Sequence, residues 1–342
     1  MPSEGGDPRA RHHAPLRRRS DLAGLRGWSS ALAGLLGLAG ALSLSAPTAV
    51  VAQDGWERPC LDPVPCEGSE ALGRAALAGV GLAQAGPGTL VGSASTLGRR
   101  FGSTPRVALS VRGGVTRFPW PDFAASPAGT RNATVGSLHG SVVVGLFDGF
   151  SPQPTVGGFL SLDLLLTGDW VFLPGGDGFD GSGTAWGYGV RVGVLRESFS
   201  LPGITLSGTR RHGGDIDVAP PSVGGGLVLQ DPVTTSFRGE IGKEFWGVGF
   251  LAGAGWDRYE GDAEALFSAG APGGPPEETR RFQDLGAERA LFFAGLSRTF
   301  VVWQLSAEFG WAEGVGGSYP DFPGYDAREG TLFGTVQIRL TL

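Results

Sequence analysis

The chain has 342 residues, of which 61 are Gly, and carries 27 basic against 33 acidic groups for a net charge of −6. That acidity excludes a nucleic-acid surface, because phosphates call for a basic footprint. Nine Trp and twenty Phe exclude a disordered low-complexity chain in spite of the glycine.

Residues 1–52 read as an export signal. Arg9, Arg11 and Arg17-Arg18-Arg19 precede an uncharged stretch from Trp28 to Ala52, and Val50-Val51-Ala52 supplies a cleavage site before Gln53-Asp54. The competing reading is a retained helix over Ala31–Ala52, long enough to span a bilayer but diluted by Gly, Ser and Pro. Twin-arginine export fits less well, since Ser20-Asp21 stand where apolar residues belong. Residues 1–52 hold six arginines against three acids, so their removal takes the net charge from −6 to −9.

Residues 53–104 form an amino-terminal segment, either periplasmic or a plug. Cys60 and Cys66 are the two cysteines of the chain. In an exported protein they are expected to form a disulfide, with Pro63 and Pro65 bending the loop between them. A metal centre there would need further ligands, and no His follows before His139. Leu72, Ala76 and Gly79/Val80 recur at helical spacing, which predicts a helix over Ser69–Ala85 ended by Gly86-Pro87-Gly88.

From 105 to 342 the period changes to two, the repeat of a strand. Ten strands are predicted. The first, 106–117, sets Val107, Leu109, Val111 and Val115 against Ser110, Arg112 and Thr116. The second, 131–147, opposes Leu138, Val142 and Val144 to Ser137 and His139; the third, 155–170, opposes Leu162, Leu164 and Leu166 to Ser161 and Asp163. The fourth (184–196) carries Trp186, Tyr188 and Val190 around Arg191, and the fifth is short, 203–211. In the sixth, 233–242, Phe237 and Ile241 oppose Arg238 and Glu240. The seventh (248–259) carries Phe250 and Trp256, and the eighth (287–298) Leu291 and Phe293. The ninth, 302–312, places Trp303, Leu305, Phe309 and Trp311 opposite Gln304 and Glu308. The last, 331–342, places Leu332, Val336, Ile338, Leu340 and Leu342 opposite Thr335, Gln337 and Arg339.

Connections alternate. Glu197–Pro202, Lys243–Gly247 and Thr299–Val301 are tight, whereas His212–Asp231, Glu260–Asp284 and Glu313–Glu329 are long. Short turns on one rim, long loops on the other and strands of about ten residues describe a bacterial outer-membrane β-barrel. An even strand count puts both ends in the periplasm. A soluble β-sandwich also alternates, but here Trp170, Trp186, Trp246, Trp256, Trp303 and Trp311 gather at strand ends as interfacial girdles do. The expected fold is all-β: an antiparallel up-and-down transmembrane barrel of about ten to twelve strands over 105–342, with a short amino-terminal helix, in the Gram-negative outer membrane.

The inward face carries Arg112, His139, Asp163, Arg191, Arg238, Glu240, Glu308 and Arg339. In a narrow lumen these mixed charges serve as interlocked ion pairs; a selectivity filter is the alternative. Gly175-Gly176-Asp177-Gly178-Phe179-Asp180 matches the opening of a calcium-binding nonapeptide, but one copy cannot stack, so an outer loop is expected. His212 near Asp215 and Asp217 is the one His–acid grouping that a hydrolase would need, and a solvated loop is the plainer account.

Ala71-Leu72-Gly73-Arg74-Ala75-Ala76-Leu77-Ala78-Gly79 and Ser95-Thr96-Leu97-Gly98 resemble the start of the long-chain fatty-acid transporter superfamily, without its Asn-Pro pair. That resemblance covers about forty residues. It implies a lumenal plug, passage of hydrophobic molecules and fourteen strands. The final strand is similar to the assembly signal of outer-membrane proteins, ending in Leu342 instead of an aromatic residue. Function is read as structural, or as passive passage of small or hydrophobic solutes, with outer-membrane lipid and the barrel-assembly machinery as partners. No catalytic residue, cofactor or metal is assigned. The alternatives are an outer-membrane hydrolase and an adhesion or partner-binding scaffold using the acidic Glu260–Asp284 loop.

Overall fold

The structure, a computed structural model, describes residues 63–100, 104–122, 129–151, 157–173, 181–218, 227–267, 278–317, 319 and 324–342. The signal segment 1–52, Cys60 and Gly175–Asp180 lie outside them, so the disulfide and the calcium-like motif do as well.

A helix, α1 (Pro63–Ala85), is followed by a two-residue pair, β1 (Arg99–Arg100) and β2 (Thr104–Pro105). Then come β3 (Val107–Asp122), β4 (Gly129–Phe147), β5 (Ser161–Leu173), β6 (Gly181–Leu195) and β7 (Gly203–Gly213). A short β8 (Ile216–Val218) precedes β9 (Leu227–Phe245), β10 (Val248–Phe267), β11 (Glu278–Phe300), β12 (Trp303–Ala312) and β13 (Thr331–Thr341). Antiparallel pairing runs from β3 to β7, on through β9 and β10 to β13, and back to β3 through Leu332↔Arg117 to Thr341↔Ala108. Ten strands therefore close the ring, while β8 is not one of them and pairs with β9. The fourteen strands implied by the fatty-acid transporter resemblance are not found.

The helix begins six residues before the predicted start, since Pro63 and Pro65 suit a first turn, whose N–H groups have no helical acceptor. Cys66 thus lies in α1, where the sequence suggested a bent loop. The β9–β10 hairpin turns on two residues, Trp246-Gly247, both at positive φ (52° and 78°), as a type I′ turn demands.

Several predicted loops are strand. The acidic Glu260–Asp284 segment continues the β10–β11 hairpin to Phe267 and Glu278, and His212–Asp231 holds the end of β7, β8 and the start of β9. The reason is an inversion of the side-chain pattern. Near the turn rim the outer face is apolar (Leu305, Phe309, Val336 and Ile338 are exposed) and the inner face polar. Towards the long-loop rim the inner face becomes apolar. Phe118, Trp120, Val171, Leu229, Tyr259 and Leu285 pack there as one core, while Arg258 on the outer face pairs with Glu260 at 2.7 Å. A strand that swaps its faces midway blurs the alternation on which sequence reading relies. In β11 the run Leu291-Phe292-Phe293 hides the parity for the same reason: Leu291 and Phe293 face inward, and Phe292 and Leu296 are exposed outside.

The helix α1 occupies the apolar chamber. Leu72, Ala75, Ala76, Leu77, Val80 and Leu82 are buried against the strand extensions. Gly81 is required by close approach, because a Cβ there would stand 2.2 Å from the Tyr259 ring. Tyr319 and Tyr325 cover the chamber with ring centroids 5.8 Å apart, and burial pushes the Tyr319 phenol up to about 12, which keeps it neutral beside apolar neighbours.

Candidate functional site

The eight lumen residues singled out in the sequence are all buried inside the barrel. Strand parity puts them there, and the chain's own amino-terminal segment gives most of them their partners. After α1 ends, Gly86 takes the left-handed conformation (φ 65°) of a helix cap and Gly86–Gly98 runs on as irregular backbone. Its carbonyls and N–H groups have no helix or sheet to satisfy them, and buried backbone groups must be paired.

Arginines take the carbonyls. Arg238 donates through Nε to Pro87 O (2.6 Å) and through Nη2 to Gly86 O (3.0 Å). Arg112 Nη1 donates to Gly88 O at 2.8 Å, and Arg191 Nη2 to Ser93 O at 2.8 Å. Carboxylates take the N–H groups. Glu308 accepts from Gly88 N (3.1 Å) and Gly92 N (3.2 Å), Glu240 from Thr89 N (3.1 Å), and Asp163 from Leu97 N (2.9 Å). The sign of each lumen charge thus follows from the backbone group it meets. Cations at the end of α1 also complement the helix dipole.

The expected interlocked ion pairs are present as well. Arg238 is bidentate to Asp257 at 2.6 and 3.0 Å, Arg191 lies 3.4 Å from Asp163, and Arg211 lies 3.3 Å from Asp169. Asp169, Arg211, Asp257 and Arg289 were missed in the sequence. Asp169 and Asp257 share the parity of Asp163 and Tyr259, so an even-spacing count along β5 and β10 finds them. Arg289, which donates to Ala78 O, sits on the strand whose parity was unreadable.

Two predicted residues stand apart from the clamp. Arg339 has no acid within ion-pair distance among the described residues; its Nε and Nη1 lack protein partners beside a cavity of about 110 Å³ that Gln304 and Lys243 also line. His139, expected to face the lumen alone, is bonded through Nδ1 to Asp169 (2.5 Å) and through Nε2 to Ser137 (3.0 Å). Hydroxyl, imidazole and carboxylate in that order resemble a nucleophile with its base. All three are 4–5 % exposed, and here they tie β4 to β5.

His212 is in β7 and not in a loop. It stacks on Trp186 at 5.2 Å, and among the described residues neither Asp215 nor Asp217 is hydrogen-bonded to it. Asp215 instead accepts from the backbone of Asp231 at 3.3 Å.

No family model and no curated protein matches the chain. Solved structures with similarity include the translocator domain of the autotransporter NalP from Neisseria meningitidis (9 % identity, 69 % of this chain, 88 % of that one, TM-score 0.35). An outer-membrane channel from Pseudomonas putida F1 follows at 11 % identity, 75 % and 99 % coverage and TM-score 0.36. The attachment protein Ail of Yersinia pestis, solved with a heparin analogue, gives 11 %, 70 %, 99 % and 0.24. At such values the architecture rests on the geometry above: a closed ring, apolar outside at the belt and polar within. That is the architecture of an outer-membrane β-barrel.

Proposed function

We propose that this chain is an integral outer-membrane β-barrel kept closed by its own residues 70–98, with the short turns in the periplasm and the long-loop rim outside. The support for membrane insertion is the belt. A continuous apolar band on the outer face is costly in water and marks a membrane-facing surface. β12 and β13, of 10 and 11 residues, match the ~9–11 residues that cross a bilayer at a tilt. The longer strands then project beyond the membrane on the long-loop side, where their outer faces turn polar.

Arginines and carboxylates of the lumen wall clamp the main chain of residues 86–98. A lumen whose charges are spent on the main chain of an internal segment has little left for solute. The role is therefore structural in this state, and passive passage of small or hydrophobic solutes belongs to a state in which that segment has moved. The lipid bilayer and the barrel-assembly machinery, the latter through β13, are its proposed partners. Planar-bilayer recording tests this. The full chain is expected to insert without conductance steps, and a variant lacking residues 70–98 to give them. Steady ohmic conductance from the full chain would refute the closed barrel.

A further inference from the structure

The lumenal segment has a direction. Going forward from Ala85, its neighbours move towards the turn rim. Glu240 and Glu308 stand at Gly88, Ser297 and Ser306 at Gly92, and Asp148 with Arg196 at Gly98, beside the connections that follow β4 and β6. Going backward they move to the other rim: Phe118 at Gly79, then Ala263 and Leu285 at Gly73. From Gly73 the helix continues ten residues to Pro63, about 15 Å further at 1.5 Å per residue. The other end of the chain stays at the turn rim, where Leu342 and Val107 exchange backbone hydrogen bonds (3.3 and 2.8 Å). Both ends of the barrel itself therefore lie on the turn side, as an even strand count requires, but α1 begins towards the opposite side.

The charged part of the grip on this segment is also of one chemical kind, beside hydroxyl contacts such as Thr89 to Ser207 and Thr96 to Ser161. Arg112, Arg191, Arg238, Asp163, Glu240 and Glu308 all bind its carbonyl or N–H groups. Such contacts read main chain and not side chains. We infer that the lumen is a binding channel for non-helical polypeptide backbone, and that it holds the segment so that residues preceding Pro63 are presented on the outer face of the membrane.

This rests on the outer-membrane reading, and the test separates the two. An epitope is inserted between residues 62 and 63 in one cell line and after Leu342 in another, and antibody binding is compared in intact and permeabilised cells. The first epitope is expected to bind as fully in intact as in permeabilised cells, the second only after permeabilisation. A less intrusive arm uses Asp62→Cys in a chain with Cys60→Ser and Cys66→Ser, labelled with an impermeant maleimide; full labelling of intact cells is expected. Heat-modifiable migration of the same protein in the outer-membrane fraction reports the barrel. If that band is present while position 62 is shielded until permeabilisation, the threading is wrong and the barrel stands. If the band is absent, both fall.

Discussion

Arg238→Ala is expected to lower the stability of the folded barrel by about 3–5 kcal/mol, the range found when one partner of a buried ion pair is removed. Arg238 has two functions at one point. Its guanidinium neutralises Asp257, which is fully buried, and it holds the carbonyls of Gly86 and Pro87 where α1 gives way to the descending segment. Without it, Asp257 keeps the Tyr259 hydroxyl at 2.8 Å as its remaining side-chain donor among the described residues, too little for a carboxylate out of water. Pairing the change with Asp257→Ala should recover part of the loss, because the stranded charge is then gone while the missing grip on the segment remains. Urea titration of the heat-modifiable band in detergent reads both effects. Equal stability of the single variant and the parent protein would mean that this pair does not hold the lumen together.

Val336→Arg is expected to cost about 2–4 kcal/mol, the penalty for a cation at the bilayer midplane of a barrel's lipid face. Val336 is the middle residue of β13, 55 % exposed, and its cross-strand neighbours Ala307 and Gly113 offer no carboxylate. The same substitution on the outside of a water-soluble barrel would shift stability by no more than about 0.5 kcal/mol. The two outcomes are far enough apart for unfolding measured in lipid vesicles to decide which solvent the belt meets.

The ten strands and the inward position of Arg112, His139, Asp163, Arg191, Arg238, Glu240, Glu308 and Arg339 were legible because alternation in a membrane-height strand is enforced on both faces at once. The rest was hidden for identifiable reasons. Above the belt Leu227, Leu229 and Tyr259 face inward while Arg258 faces out, so a count that assumes one sense for the whole strand reads loop where strand continues. The partners of the lumen charges were illegible for a deeper reason: they are main-chain groups of residues 85–98, and backbone carbonyls and N–H groups leave no mark in a sequence. Glu308 looks like half of an ion pair, and only the course of the chain shows it accepting from Gly88 and Gly92. His139 looked solitary because Asp169 comes opposite it only through the β4–β5 register.

The lumen holds residues 86–98 of the same chain, and a designed bridge between the segment and the wall checks this. Thr89 Oγ1 lies 3.2 Å from Ser207 Oγ on β7, so Thr89→Cys and Ser207→Cys, in a chain whose native cysteines are replaced by Ser, put two thiols side by side. Mild oxidation of the folded barrel is expected to convert it almost wholly to a species that migrates differently on a denaturing gel and reverts with reductant. Failure to bridge, with both introduced thiols open to maleimide in the folded barrel, would contradict a filled lumen.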